Sequence, residues 1–308
     1  MPPNISESSS SSPTTTDSRD VISRIYLIRH GDRFDYANPT WSQQAKEHGA
    51  LLTDPPLSAL GHRQAHETAD HMCKITKMDS SNRNDDGVDD NNTSHDVDAI
   101  LVSPYLRVIQ TACPTSNAIG IPLSIEHGLA EAHATPGSVL PSPKERFSYF
   151  PQINCNHNSL LNVIPTPGYI CPKTGHPCEA FAGKYTQRMG QFASCLEQRF
   201  YGKNVVLFSH AASVALVAAL LKCSMRSLKF APCGIYHLKR VNTGPWILER
   251  NGECNKEYVT ENAPTTYPWG FEEKHFMEGV ERKTYHGSSE GIDLDYFVTK
   301  NEDDSSKM

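Results

Sequence analysis

An α/β domain with a largely parallel sheet is predicted for this chain by three observations. Short apolar runs alternate with helical segments along most of the sequence. The runs stop at turns containing Gly, Pro, Ser or His, and the charged residues able to do chemistry cluster at those stops. Strand–loop–helix units in series favour parallel pairing, because each helix carries the chain back to the same end of the sheet.

The elements follow in order. Residues 1–22 are Ser/Thr-rich, carry Glu7, Asp17 and Asp20, and lack the apolar run of a signal peptide. With almost nothing to bury they are expected to be a disordered tail, too polar to hold a further domain. Residues 25–28 (IYLI) form the first strand, broken at Arg29-His30-Gly31. Ser58 is expected to cap a helix running to Lys74, with Ala65, Ala69, Met72 and Cys73 on one face. The polar tract 79–96 is expected to be a disordered surface insertion.

Residues 98–102 (DAILV) give a second strand, closed by Ser103-Pro104 and followed by a helix to Ala118. The turn-rich stretch 132–180 is expected to be a cap or lid. Residues 205–208 make a third strand that stops at Ser209-His210, before the helical segment AASVALVAALL. Residues 234–240 and 246–249 are late strands, and 301–308 are a frayed, disordered tail. One domain over residues 23–300 is the expected organisation.

A formal net charge of −6 argues against generic nucleic-acid or anionic-membrane binding. The most apolar stretch, 205–221, is short and holds Ser209 and His210, so no membrane-spanning helix is expected. Nine cysteines scattered through a long chain resemble reduced thiols, which points to a cytoplasmic protein. Homo-oligomerisation is left open by the sequence.

Ligands of open α/β sheets bind beyond the carboxyl ends of the strands. Three such ends here deliver Arg29-His30-Gly31-Asp32-Arg33, then Ser103 with Arg107 beyond it, then Ser209-His210. Guanidinium groups match the charge and oxygen geometry of a phosphate monoester. A neutral imidazole is a competent nucleophile when its other ring nitrogen holds the proton. A histidine ringed by arginines therefore supplies most of what phosphoryl transfer requires, short of a proton donor for the leaving oxygen.

Leu27-Ile28-Arg29-His30-Gly31 resembles the RHG signature of the histidine phosphatase (phosphoglycerate-mutase-like) superfamily. Leu57-Ser58-Ala59-Leu60-Gly61-His62-Arg63-Gln64-Ala65 is similar to its L-S/T-x-x-G-x-x-Q-A helix start. Ser103-Pro104-Tyr105-Leu106-Arg107-Val108-Ile109-Gln110-Thr111-Ala112 is similar to its S-P-x-x-R-x-x-Q-T-A segment. Gly128-Leu129-Ala130-Glu131 and Val206-Leu207-Phe208-Ser209-His210 resemble the acidic segment and the second-histidine strand. The resemblance implies a three-layer sandwich and phosphate-monoester hydrolysis without metal or cofactor. It implies His30 as nucleophile, Glu131 as proton donor, and Arg29, Arg107 and His210 on the phosphoryl group. The substrate would be a phosphorylated small molecule or a phosphoprotein.

Arg33 matches a further arginine of the R-H-G-x-R variant, similar to the phosphatase domain of the suppressor-of-T-cell-receptor-signalling and ecdysteroid-phosphate phosphatase proteins. Trp41 and the Asp54-Pro55-Pro56-Leu57 approach fit the same subgroup. Two departures favour a phosphatase over other branches. His210 is followed by Ala211-Ala212, not by the acidic donor of phytases, and Asp32-Arg33-Phe34-Asp35 replaces the usual mutase sequence. Two alternatives stay open: transfer of the phosphoryl group to a second acceptor, as in mutases, and a catalytically poor phospholigand-binding module.

Other patterns have weaker claims. Gly287-Ser288-Ser289-Glu290-Gly291 lacks the apolar strand that a serine-hydrolase elbow needs. His66 and His71 are five apart and leave a common helix face. Cys155, His157, Cys171, His176 and Cys178 have spacings that suit either zinc or an irregular lid with reduced thiols. Tyr149, Phe150 and Tyr169 are candidate substrate-facing aromatics.

Overall fold

The computed structural model describes residues 20–77, 95–132, 140–161, 169–170, 177–178, 184–261 and 295–298. In chain order the strands and helices are β1 (Ile22–Arg29), α1 (Phe34–Ala37), α2 (Trp41–Glu47), α3 (Ala59–Thr76), β2 (Ala99–Val102), α4 (Leu106–Ile119) and β3 (Leu123–Ile125). They continue through α5 (Pro143–Phe147), β4 (Tyr169–Ile170), β5 (Pro177–Cys178), α6 (Thr186–Arg199), β6 (Asn204–Ser209), α7 (Val214–Leu221), β7 (Ile235–Val241) and β8 (Ile247–Arg250).

Six strands form one sheet in the order β3-β2-β6-β1-β7-β8. The first four are parallel, and β7 and β8 close the edge antiparallel. β4 and β5 make a separate antiparallel pair. The fold is the α/β arrangement expected from the strand–helix alternation, with a mixed, mostly parallel sheet.

Strand alternation sorts the core into two layers. Ile25, Leu27, Leu101, Val205 and Leu207 face Met189, Phe192 and Leu196 of α6 and the apolar side of α7. Tyr26, Ile28, Ile100, Val102, Val206 and Phe208 face Met72 of α3 and Val108, Ile109 and Ala112 of α4. β6 is buried along its whole length, as a strand covered on both sides must be. Each such side chain contributes roughly 1.5–3 kcal/mol on leaving water.

The helix starts follow their sequences. Ser58 Oγ accepts from Gly61 N at 3.0 Å, capping α3 as its position predicts. Gly120 ends α4 in the left-handed region, at φ +80°. α1, α2, β3, α5, β4, β5 and α6 add to the elements expected from the sequence. Ordered packing also begins slightly before residue 23, since Val21 N donates to Asn242 Oδ1 at 2.8 Å and β1 opens at Ile22. The expected insertion 79–96 falls almost wholly outside the described residues, as do the tails 1–19 and 301–308. No helix among the described residues is long and apolar enough to cross a membrane.

Candidate active site

β1 lies at the centre of the sheet between β6 and β7, so its carboxyl end lies beside that of β6, with that of β2 one strand further on. His30 follows β1 directly, and its backbone N–H donates to Ser209 O at 3.0 Å. The turn after it packs on the start of α3 with almost no gap. A Cβ on Gly31 would lie 2.8 Å from Gly61 O, and one on Gly61 would lie 2.2 Å from Asp32 O. Glycine is required at both places because two backbones touch there.

The polar members of the sequence motifs tie the motifs to one another. Gln64 Oε1 accepts from Asp32 N at 2.9 Å, and Thr111 Oγ1 accepts from Gly31 N at 3.1 Å. Gln110 Oε1 accepts from Leu57 N at 2.8 Å. These bonds make the loop geometry part of the core, which fixes a constellation more firmly than a free loop could.

The structure brings His30, Arg107, His210 and Glu131 together. The His30 and His210 rings lie 5.5 Å apart, edge to face. Arg107 Nη2 donates to His210 Nδ1 at 3.1 Å and lies 3.5 Å from Glu131 Oε2. Glu131 Oε2 is 3.2 Å from His210 Nδ1, while Glu131 Oε1 accepts from Ala132 N at 2.9 Å. Ser103 Oγ meets His210 Nε2 at 2.8 Å. The Arg107 guanidinium also covers the Tyr105 ring, 4.7 Å from its centroid.

The tautomer of His30 follows from its partner. Its Nδ1 lies 2.7 Å from Gly31 O, and a carbonyl can only accept. The proton therefore sits on Nδ1 and the lone pair on Nε2. Burial, reinforced by the charges of Arg107 and Arg29, holds the His30 pKa well below the usual histidine range. His210 is depressed likewise, by burial first and then by Arg107 and His30. Both imidazoles are neutral at pH 7.

The remaining predicted residues stand differently. Arg29 is buried behind the turn, and its Nη1 donates to Phe230 O. Arg33 sits at the mouth, just before α1. Its Nε and Nη2 reach Asp35 at 2.9 and 2.6 Å, and its guanidinium stacks on Tyr36 at 4.4 Å. Its charge still contributes to lowering the pKa values of His30 and His210.

Three supporting residues were not read from the sequence as parts of the site. Arg188 of α6 donates to Gly128 O at 2.7 Å and Ala130 O at 3.0 Å, holding the backbone that carries Glu131. Asp54 and Arg146, both buried, form an ion pair beside Arg107. Arg146 belongs to α5, inside the region expected to be a cap.

Of the aromatic candidates there, Tyr149 is exposed, whereas Phe150 packs against the core layer that holds Ile100 and Phe208. The side chain of Tyr169 lies outside the described residues, as do Cys171 and His176. Cys155 is exposed and His157 faces Glu126 at 3.4 Å. Among the described residues no group of three or more His, Cys, Asp or Glu could hold a metal ion.

A family model described as the histidine phosphatase superfamily (branch 1) matches residues 90–252. The match covers β2 to β8 and starts after His30. Among solved structures, the chain is similar to the ecdysone phosphate phosphatase of Bombix mori in complex with tungstate. The two share 17% identity over 73% of this chain and 91% of that one, with a TM-score of 0.50. It is also similar to a phosphoserine phosphatase of Entamoeba histolytica in complex with 3-phosphoglyceric acid, at 18% identity over 75% and 96% of the two chains and a TM-score of 0.43. No curated protein matches the chain in sequence.

Proposed function

We propose that this chain, which belongs to the histidine phosphatase superfamily, hydrolyses phosphate monoesters in two steps through a phosphohistidine. Family membership supports phosphatase or phosphoryl-transfer chemistry in general. The hydrolytic reading rests on one observation above the rest. His30 is buried, neutral and protonated on the nitrogen facing Gly31 O, with arginines around it.

In the first step His30 Nε2 attacks phosphorus in line as the bond to the leaving oxygen breaks. Glu131 protonates that oxygen. In the second, Glu131 takes a proton from water, the water oxygen attacks phosphorus, and the N–P bond breaks to free phosphate. Arg29, Arg33, Arg107 and His210 stabilise the equatorial oxygens in both transition states. All of these groups come from one domain, proposed to span residues 23–300 with 132–180 as its cap. Neither a metal nor a cofactor is needed for these steps.

Release of p-nitrophenol from p-nitrophenyl phosphate in excess chelator, by wild type and His30→Ala, tests the proposal. Turnover should persist in chelator and fall by at least about 10³-fold in the variant. Activity that survives in His30→Ala would refute the assigned nucleophile. Phosphate moved to a second acceptor without free phosphate would point to a mutase.

A further inference from the structure

Arg107 is the most enclosed charge in the site, yet its Nε and Nη1 have no hydrogen-bond partner among the described residues. Burial lowers its pKa, and Glu131 and Asp54 are among the charges opposing that shift. Its Nη2 points to His210 and Glu131, and on the other side Asp54 Oδ1 stands 4.0 Å from Nη1. That carboxylate cannot rotate away. Oδ1 accepts from Leu106 N at 2.7 Å, at the first turn of the helix that carries Arg107. Oδ2 is held by Arg146 of α5, which also reaches Pro104 O at 3.4 Å. A carboxylate fixed at both oxygens beside a guanidinium with unbonded donors restricts where that guanidinium can swing.

We infer that Asp54 is a positioning residue for phosphoryl binding: locked by the Leu106 amide and by Arg146, it sets the orientation of Arg107. This inference rests on the reading of Arg107 as a phosphoryl-binding residue. Simple charge counting predicts the opposite result on mutation. Removing a carboxylate near an anion pocket makes the pocket more positive, so anion affinity should rise if Asp54 acts only through its field.

The experiment measures tungstate binding to the full chain by calorimetry, alongside kcat/KM for p-nitrophenyl phosphate. Asp54→Asn keeps an acceptor for Leu106 N but loses the charge. Tungstate affinity should fall about 10-fold despite the gain in positive charge, with a matching loss in kcat/KM. Because Asp54→Asn leaves Arg146 as a buried unpaired charge, Asp54→Asn/Arg146→Gln is measured as well and should show the same loss in a charge-balanced background. In Arg107→Ala, adding Asp54→Asn should change tungstate affinity less than about 3-fold, since the effect passes through Arg107.

Unchanged or raised affinity in both Asp54 variants would overturn the inference. So would an undiminished loss in the Arg107→Ala background, which a purely structural role at the start of α4 would produce. Tungstate binding that depends on Asp54 in a protein without turnover would sink the hydrolytic reading and leave this one standing. Wild type that binds no tungstate would end both.

Discussion

Arg107 and Arg33 show how differently two arginines can serve one pocket. Arg107 rises from the floor, 2% exposed, from a helix that starts directly after β2, and two of its nitrogens have no hydrogen bond among the described residues. Arg33 stands on the rim with a 23% exposed side chain, and Asp35 and Tyr36 already occupy its guanidinium. Charge alone would rate them equally. Their partners do not: at the floor Arg107 Nη2 faces His210 and Glu131, whereas at the rim an oxyanion must compete with Asp35. Desolvation strengthens the floor further, because a charge–charge interaction grows as water is excluded.

The sharpest break of this comparison is the pair of alanine variants. Arg107→Ala should lower kcat/KM for p-nitrophenyl phosphate by about 10²–10³-fold, as loss of a preorganised donor to a developing oxyanion does. Arg33→Ala should cost less than about 10-fold, since Asp35 and Tyr36 already hold its guanidinium. Equal losses would dissolve the distinction between floor and rim.

Next in size is a pH effect confined to the floor. His30 and His210 have depressed pKa values in the fold and ordinary ones when unfolded. The unfolded chain therefore takes up their protons first on acidification. Their contribution to stability is complete above about pH 6.5 and is lost as pH falls below it toward the folded values. Thermal melts between pH 8 and 5 should show Tm falling below that point, less steeply in His30→Gln. The smallest effect belongs to the rim. Asp35→Asn should tighten phosphate binding by about two- to three-fold, because it frees Arg33 and removes a nearby negative charge.

The same contrast explains what the sequence could reveal. Strand ends are marked by a change from apolar runs to polar turns, so His30, Arg107 and His210 could be grouped before any fold was known. Gly31 and Gly61 could be read as motif letters, but that each occupies the other's contact surface needed coordinates. Asp54 preceded two prolines in an ordinary-looking approach, and nothing local shows that its carboxylate meets Leu106 and Arg146, 52 and 92 residues away. Arg188 was hidden for a different reason. Met189, Phe192, Ala193 and Leu196 do repeat at helical spacing, but the polar residues between them masked α6 and the buried arginine on it. β3 is three residues long, too short for alternation to register. Arg33 follows the signature directly in the sequence, while its engagement with Asp35 depends on how α1 folds.

The central claim is that His30 carries the phosphoryl group between the two steps. Acid-labile, base-stable label on the protein, trapped by rapid mixing with a ³²P-labelled phosphate monoester and mapped by peptide, tests it most directly. The label should appear on the peptide containing His30 before free phosphate accumulates, and it should be absent in His30→Ala. Label on any other residue, or full turnover without labelled protein, would contradict the account.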